Sequence, residues 1–120
     1  MKQILEKRLR SFGHAFCGVS TLFRTQPHAR LHLAATVAVV AAGMLFKVST
    51  EEWCWLVLAI MAVLSAEAFN TALEFLADAV HPEKHPLVKN AKDVAAAAVL
   101  VSAIGAAVIG FSIFSPHLLK

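Results

Sequence analysis

Charge is scarce in this chain: Asp, Glu, Lys and Arg make up 16% of 120 residues, hydrophobic residues make up 58%, and the mean hydropathy is +0.68. A soluble domain of this size would have too little polar material to cover its surface. Cysteine is confined to Cys17 and Cys54, which fall in segments expected on opposite sides of a membrane. That argues against an intrachain disulfide, and neither cysteine has metal-ligand spacing. No Gly-x-x-x-x-Gly-Lys pattern occurs, so a Walker-type phosphate loop is excluded. The stretch from Met1 to Phe23 carries Lys2, Glu6, Lys7, Arg8 and Arg10 and lacks both an unbroken apolar core and a small-residue cleavage site, unlike a secretory signal.

What remains is apolar and arranged in three long blocks. Backbone groups in lipid must be satisfied within the segment, so the expected class is an all-α integral membrane protein with a single domain, 1–120. Leu5, Leu9, Phe12, Phe16, Val19 and Phe23 recur in steps of four and three. This stripe, opposite a largely basic face, predicts an amphipathic surface helix over 1–25. Membrane helices are expected over 31–48, 53–80 and 94–114, with a Ser49–Glu52 turn and a loop from His81 to Pro86 interrupted by two prolines. The last span is rich in Ala and Gly, which suits close approach of helices in lipid. Lys and Arg cluster before the first span and between the second and third, so the N-terminus and that second loop are expected in the cytoplasm.

Glu67, Asn70, Thr71, Glu74 and Asp78 share one side of the second span at about 100° per residue. An ionisable group inside lipid costs roughly 2.5–3.5 kcal/mol on insertion scales, so such a face is expected to border a wet or protein-lined cavity. Asn70 can donate to either neighbouring carboxylate. Lys89, Lys92 and Asp93 stand at the start of the third span. Carboxylates suit Mg²⁺ alongside phosphate oxygens, a lysine can neutralise a polyphosphate, and a deeper carboxylate can take a proton from a lipid hydroxyl. Those are the parts that phosphoryl transfer requires.

Glu67-x-x-Asn70-Thr71-Ala72-x-Glu74-x-x-x-Asp78, followed by His85-Pro86-Leu87-x-Lys89-x-Ala91-Lys92-Asp93-x-Ala95-Ala96-Ala97-Ala98-Val99, resembles the signature of the small prokaryotic diacylglycerol kinase family, and within it the undecaprenol kinase branch. The likeness extends through Arg30-Leu31-His32-Leu33 and Glu52-Trp53. The resemblance implies an ATP- and Mg²⁺-dependent lipid kinase of the bacterial inner membrane, acting on diacylglycerol or undecaprenol, and a homotrimer with sites between subunits. It implies no nucleic acid partner. By position, Glu67 resembles the catalytic base and Asn70 its neighbour. Glu74 matches the metal ligand that also faces ATP, and Gln26 stands where the family often has a second acidic ligand. Glu83, Lys84, His85, Lys92 and Asp93, with Lys7 and His14 on the surface helix, match nucleotide contacts. Glu67, Arg30 and Ala96 would border the lipid.

Plainer roles compete. His28/His32 and His81/His85 have the i, i+4 spacing of zinc ligands but lack a third ligand, so structural or headgroup-facing histidines are expected. Trp53 and Trp55 are expected to mark the outer interface. A cavity-facing glutamate also serves proton-coupled transporters, which would not need Lys92 and Asp93 beside Glu74.

Overall fold

The computed structural model describes residues 1–120 as four helices: α1 (Lys2–Thr25), α2 (Pro27–Leu45), α3 (Thr50–Val80) and α4 (Pro86–Leu118). The last three are each long and apolar enough to cross a bilayer. The class expected from the sequence holds, and the helix ends move for identifiable local reasons.

Only Gln26 separates α1 from α2. Its backbone is extended, and Pro27 follows at the first helical position, where a missing N–H costs nothing. The first membrane helix therefore starts four residues before the expected Leu31. It stops at Leu45 because Lys47 turns left-handed (φ 52°). Lys47 N–H then donates to Met44 and Val48 N–H to Gly43, the paired bonds of a Schellman end, and Val48 is buried behind them.

The Ser49–Glu52 segment is the first turn of α3 rather than a separate turn. Ser49 Oγ accepts from Glu52 N–H at 3.1 Å, and Glu52 Oε2 accepts from Ser49 N–H at 2.7 Å, a complete capping box. The third membrane helix likewise begins at Pro86, eight residues ahead of the expected Val94. His85 Nδ1 accepts from Leu87 N–H and Pro86 sits at the helix start, so this proline opens a helix instead of breaking one. Lys89, Lys92 and Asp93 consequently ride on α4 and not in the loop.

The chain's own core lies at the α2–α3 turn, where Val48, Leu56 and Ile113 are buried with Val39, Phe46, Trp53, Ile109 and Phe114 against them. Gly43 leaves room for a large ring: a Cβ there would stand 2.6 Å from the Trp53 ring. Trp53 is thus half-buried against α2, while Trp55 is exposed. Gly105 and Gly110 on α4, expected at tight contacts, have open space where a Cβ would be.

Elsewhere the surface is apolar. Leu5, Leu9, Phe12 and Phe16 of α1 and Phe69, Leu100 and Phe111 of the membrane helices are all exposed. For a helix on or in a bilayer this is the favourable arrangement, since lipid receives those faces. The apolar stripe of α1 is free along most of its length, and α1 joins the bundle through buried Leu22 near its C-terminal end.

Candidate active site

Two of the ten buried residues are polar, Glu67 and Thr71, and both lie on one face of α3. At 1.5 Å per residue Glu67 is about 25 Å along a helix of about 46 Å, toward the far edge of a ~30 Å hydrocarbon layer. The α2–α3–α4 core is at the opposite end, so this face meets α2 and α1 through small residues. Ala29 of α2 is fully buried nearby in sequence order to His32, and Ala15 and Gly18 of α1 line a cleft of about 380 Å³ with Ala68, Thr71 and Phe75.

Hydrogen bonding divides the face unevenly. Asn70 Nδ2 donates to Glu74 Oε1 at 3.3 Å, so its amide orients Glu74 and not Glu67. Glu67 instead meets α2: His32 Nε2 lies 3.2 Å from Glu67 Oε1. That contact is close without being a directed hydrogen bond, because Oε1 has no partner at acceptable angles. Asn70 Oδ1 and Thr71 Oγ1 are also buried without partners. Other helical hydroxyls behave differently: Thr21, Thr25, Thr36 and Ser112 each donate to the carbonyl four residues back. Three adjoining unpartnered polar atoms inside a membrane helix are costly, about 1–3 kcal/mol each, unless a ligand completes them.

The α3–α4 loop supplies a second element. An open hollow of about 740 Å³ is lined by Glu83, Lys84, His85, Lys92 and Asp93, together with Asp78 and Lys89. The fold thus gathers five of the expected nucleotide contacts in one place. Within it, Lys92 Nζ bonds Asp78 across the loop and Lys89 Nζ bonds Asp93 one turn away, both at 2.5 Å. The loop is held by His81 Nδ1, 3.1 Å from the Glu83 carbonyl, and by an edge-on contact of the His81 and His85 rings.

The remaining expected positions are more scattered. Lys7 and His14 are exposed on α1, and neither lines the loop hollow. Gln26 is half-buried at the α1–α2 junction, its amide 3.5 Å from Thr25 Oγ1. Arg30 on α2 and Ala96 on α4 are exposed. Cys17 and Cys54 are free.

Sequence reasoning passed over two residues of this site. His32, expected to be structural or headgroup-facing, contacts the buried Glu67 carboxylate. Thr71 was counted on the polar face but given no part. The signal for Thr71 was its register with Glu67; nothing in periodicity could report which α2 side chain meets α3.

For Mg²⁺, the chain offers the Glu74 carboxylate, steadied by Asn70. No three His, Cys, Asp or Glu side chains converge within the chain. That donor set fits an ion that keeps water and takes one or two carboxylates with phosphate oxygens, and would not fit one needing a full protein cage.

Comparison with known proteins gives the family. The profile of the prokaryotic diacylglycerol kinase family matches residues 13–114. An undecaprenol kinase of Bacillus subtilis is 40% identical over 114 residues, covering 95% of this chain and 93% of that protein. A diacylglycerol kinase of Synechocystis is 40% identical over 119 residues (98% of this chain, 68% of the relative), and one of Pseudomonas aeruginosa is 32% identical over 98 residues (82% and 80%). With a match of this extent laid over three membrane helices and a buried carboxylate face, the chain belongs to the prokaryotic diacylglycerol kinase family of membrane lipid kinases.

Proposed function

We propose that this lipid kinase moves the γ-phosphoryl group of ATP directly onto a lipid hydroxyl, with Glu67 as general base. The observation that carries the reading is the run of unpartnered buried atoms, Glu67 Oε1, Asn70 Oδ1 and Thr71 Oγ1, on one face of α3. Such a set is stable in a membrane when a polar group enters from outside to complete it.

In this reading Glu67 takes the proton of the lipid hydroxyl while that oxygen forms its bond to the γ-phosphorus. The bond from phosphorus to the β–γ bridging oxygen breaks, releasing ADP and leaving a lipid phosphate monoester. Thr71 holds the acceptor hydroxyl, and Asn70 keeps Glu74 in place. Glu74 would bind Mg²⁺, with Gln26 as a weaker neutral ligand; the ion supplies charge neutralisation on the polyphosphate. Lys92, Asp93 and the Glu83–His85 loop receive the nucleotide, assisted by Lys7 and His14, and Arg30 and Ala96 border the lipid.

The acceptor class is a membrane lipid with a primary hydroxyl at the bilayer surface. Diacylglycerol and undecaprenol, after which the relatives are named, both qualify. The basic residues of α1 and of the α3–α4 region support an orientation with this end in the bacterial cytoplasm. Membership of the family supports assembly as a homotrimer, with neighbouring subunits closing the site.

The test is direct. Purified protein in detergent receives γ-labelled ATP, Mg²⁺ and either diacylglycerol or undecaprenol, and label in the lipid phase is counted. Transfer to at least one lipid supports the reading; ATP turnover without lipid labelling, or none at all with correctly assembled protein, refutes it.

A further inference from the structure

We infer that His32 is the positioning residue for Glu67, directing its carboxylate toward the acceptor hydroxyl. The inference rests on the lipid kinase reading above and adds to it the group that makes a base on a flexible side chain act from one place.

Among the donors of this chain, one stands against the Glu67 carboxylate. On α3, Asn70 gives an amide N–H to Glu74 and none to Glu67, and the Thr71 hydroxyl, four residues further on, has no partner and so does not bond Glu67 either. α4 has no ionisable side chain between Asp93 and His117. α1 meets this part of α3 through Ala15, Gly18, Val19, Thr21 and Leu22, and the one hydroxyl among them, on Thr21, donates to the Cys17 carbonyl. What remains is His32, whose Nε2 stands 3.2 Å from Glu67 Oε1. The Glu67 side chain is 4% exposed and that of His32 25%, so the contact is shielded where an imidazole N–H counts for more than in water.

The bond is not yet aligned: the distance is short but the angle leaves Oε1 unpartnered. The last torsion of the ring is soft, and rotation about it is the adjustment that would align Nε2–H with the oxygen. Catalytic hydrogen bonds are often misaligned before substrate arrives and tighten with it bound. One oxygen of Glu67 is then fixed by His32 and the other is left for the lipid proton. His32 also forms part of the wall of a groove of about 390 Å³ between α2, α3 and α4. The pair therefore stands where that apolar groove meets the carboxylate face.

The role separates from mere packing by what replaces the ring. A glutamine amide can present an N–H near the place of Nε2, whereas leucine and phenylalanine fill space with no donor. Full-length His32→Gln, His32→Phe, His32→Leu and Glu67→Gln are assayed in detergent with ATP and each of diacylglycerol and undecaprenol, after gel filtration shows the assembly of the unaltered protein. His32→Phe and His32→Leu are expected to lose kcat by about 10- to 100-fold with the KM for ATP within about twofold, and His32→Gln to recover most of kcat. If the phenylalanine variant does not assemble, the leucine and glutamine variants carry the comparison. Equal kcat in His32→Gln and His32→Leu, or a loss confined to KM for ATP, overturns the inference. His32 variants at full rate beside an inert Glu67→Gln overturn it alone, whereas an active Glu67→Gln removes the base and this role with it.

Discussion

Lys92 on α4 and Asp78 on α3 join at 2.5 Å, Nζ to Oδ1, across the five-residue connection between their helices. The side chains are 34% and 65% exposed, so the pair contributes at most about 1 kcal/mol to stability. Its effect is orientation: the lysine is held over the loop hollow. Asp78→Asn should leave the melting temperature in detergent almost unchanged and raise the KM for ATP a few-fold, roughly 2- to 5-fold, because Lys92 loses its anchor. In the proposed reading Lys92 faces the nucleotide phosphates, so Lys92→Met should raise that KM by about 10-fold or more. Melting curves and initial rates on the same preparations check both, and a large stability loss in Asp78→Asn with unchanged KM would contradict this account.

Gly43 is demanded by the Trp53 ring, which would lie 2.6 Å from any Cβ at that position. Gly43→Ala should therefore destabilise by about 1–3 kcal/mol, the cost of overpacking a close contact. Trimming the ring in Gly43→Ala/Trp53→Leu should recover part of that loss. Thermal melting in detergent measures both variants.

The cap of α3 is a second structural test. Ser49→Ala removes the oxygen that accepts from Glu52 N–H and should cost about 1 kcal/mol, whereas Ser49→Asp keeps an acceptor and should cost much less. The capping box lies at the end of α3 far from Glu67, so kcat should not change in either variant.

How far the fold could be read from the chain depended on the kind of signal. The three apolar blocks are long enough to cross a bilayer as helices and the Leu5–Phe23 stripe has a helical period, and those helices are present. Helix ends differ from the expected ones where local capping overrides a breaker. Pro86 reads as a break until His85 is seen capping the turn after it, and Ser49–Glu52 reads as a loop until its two reciprocal bonds close. The polar face of α3 was legible because a single helix sets the register of Glu67, Asn70, Thr71 and Glu74. The partners of that face were not: which α2 residue meets Glu67, and whether Asn70 serves Glu67 or Glu74, depend on how two helices pack and rotate. Alanine and glycine on α4 suit its long packing against α3, and Gly43 on α2 leaves the room that the Trp53 ring takes.

Glu74 gives the metal half of the account its own test. Glu74→Gln keeps the shape and the bond to Asn70 but loses the charge, so the Mg²⁺ concentration for half-maximal activity should rise about 10-fold or more, with smaller changes in lipid KM. A magnesium titration of rate decides it, and an unchanged requirement would remove Glu74 as a ligand.

The most direct measurement is the rate of lipid phosphorylation by Glu67→Gln alongside its binding of ATP. Glutamine fits the buried site between α2 and α3 but accepts no proton at neutral pH, so turnover should fall by about 100- to 10,000-fold while nucleotide affinity stays within a few-fold. An assembled Glu67→Gln protein that phosphorylates lipid at the unaltered rate would contradict the account.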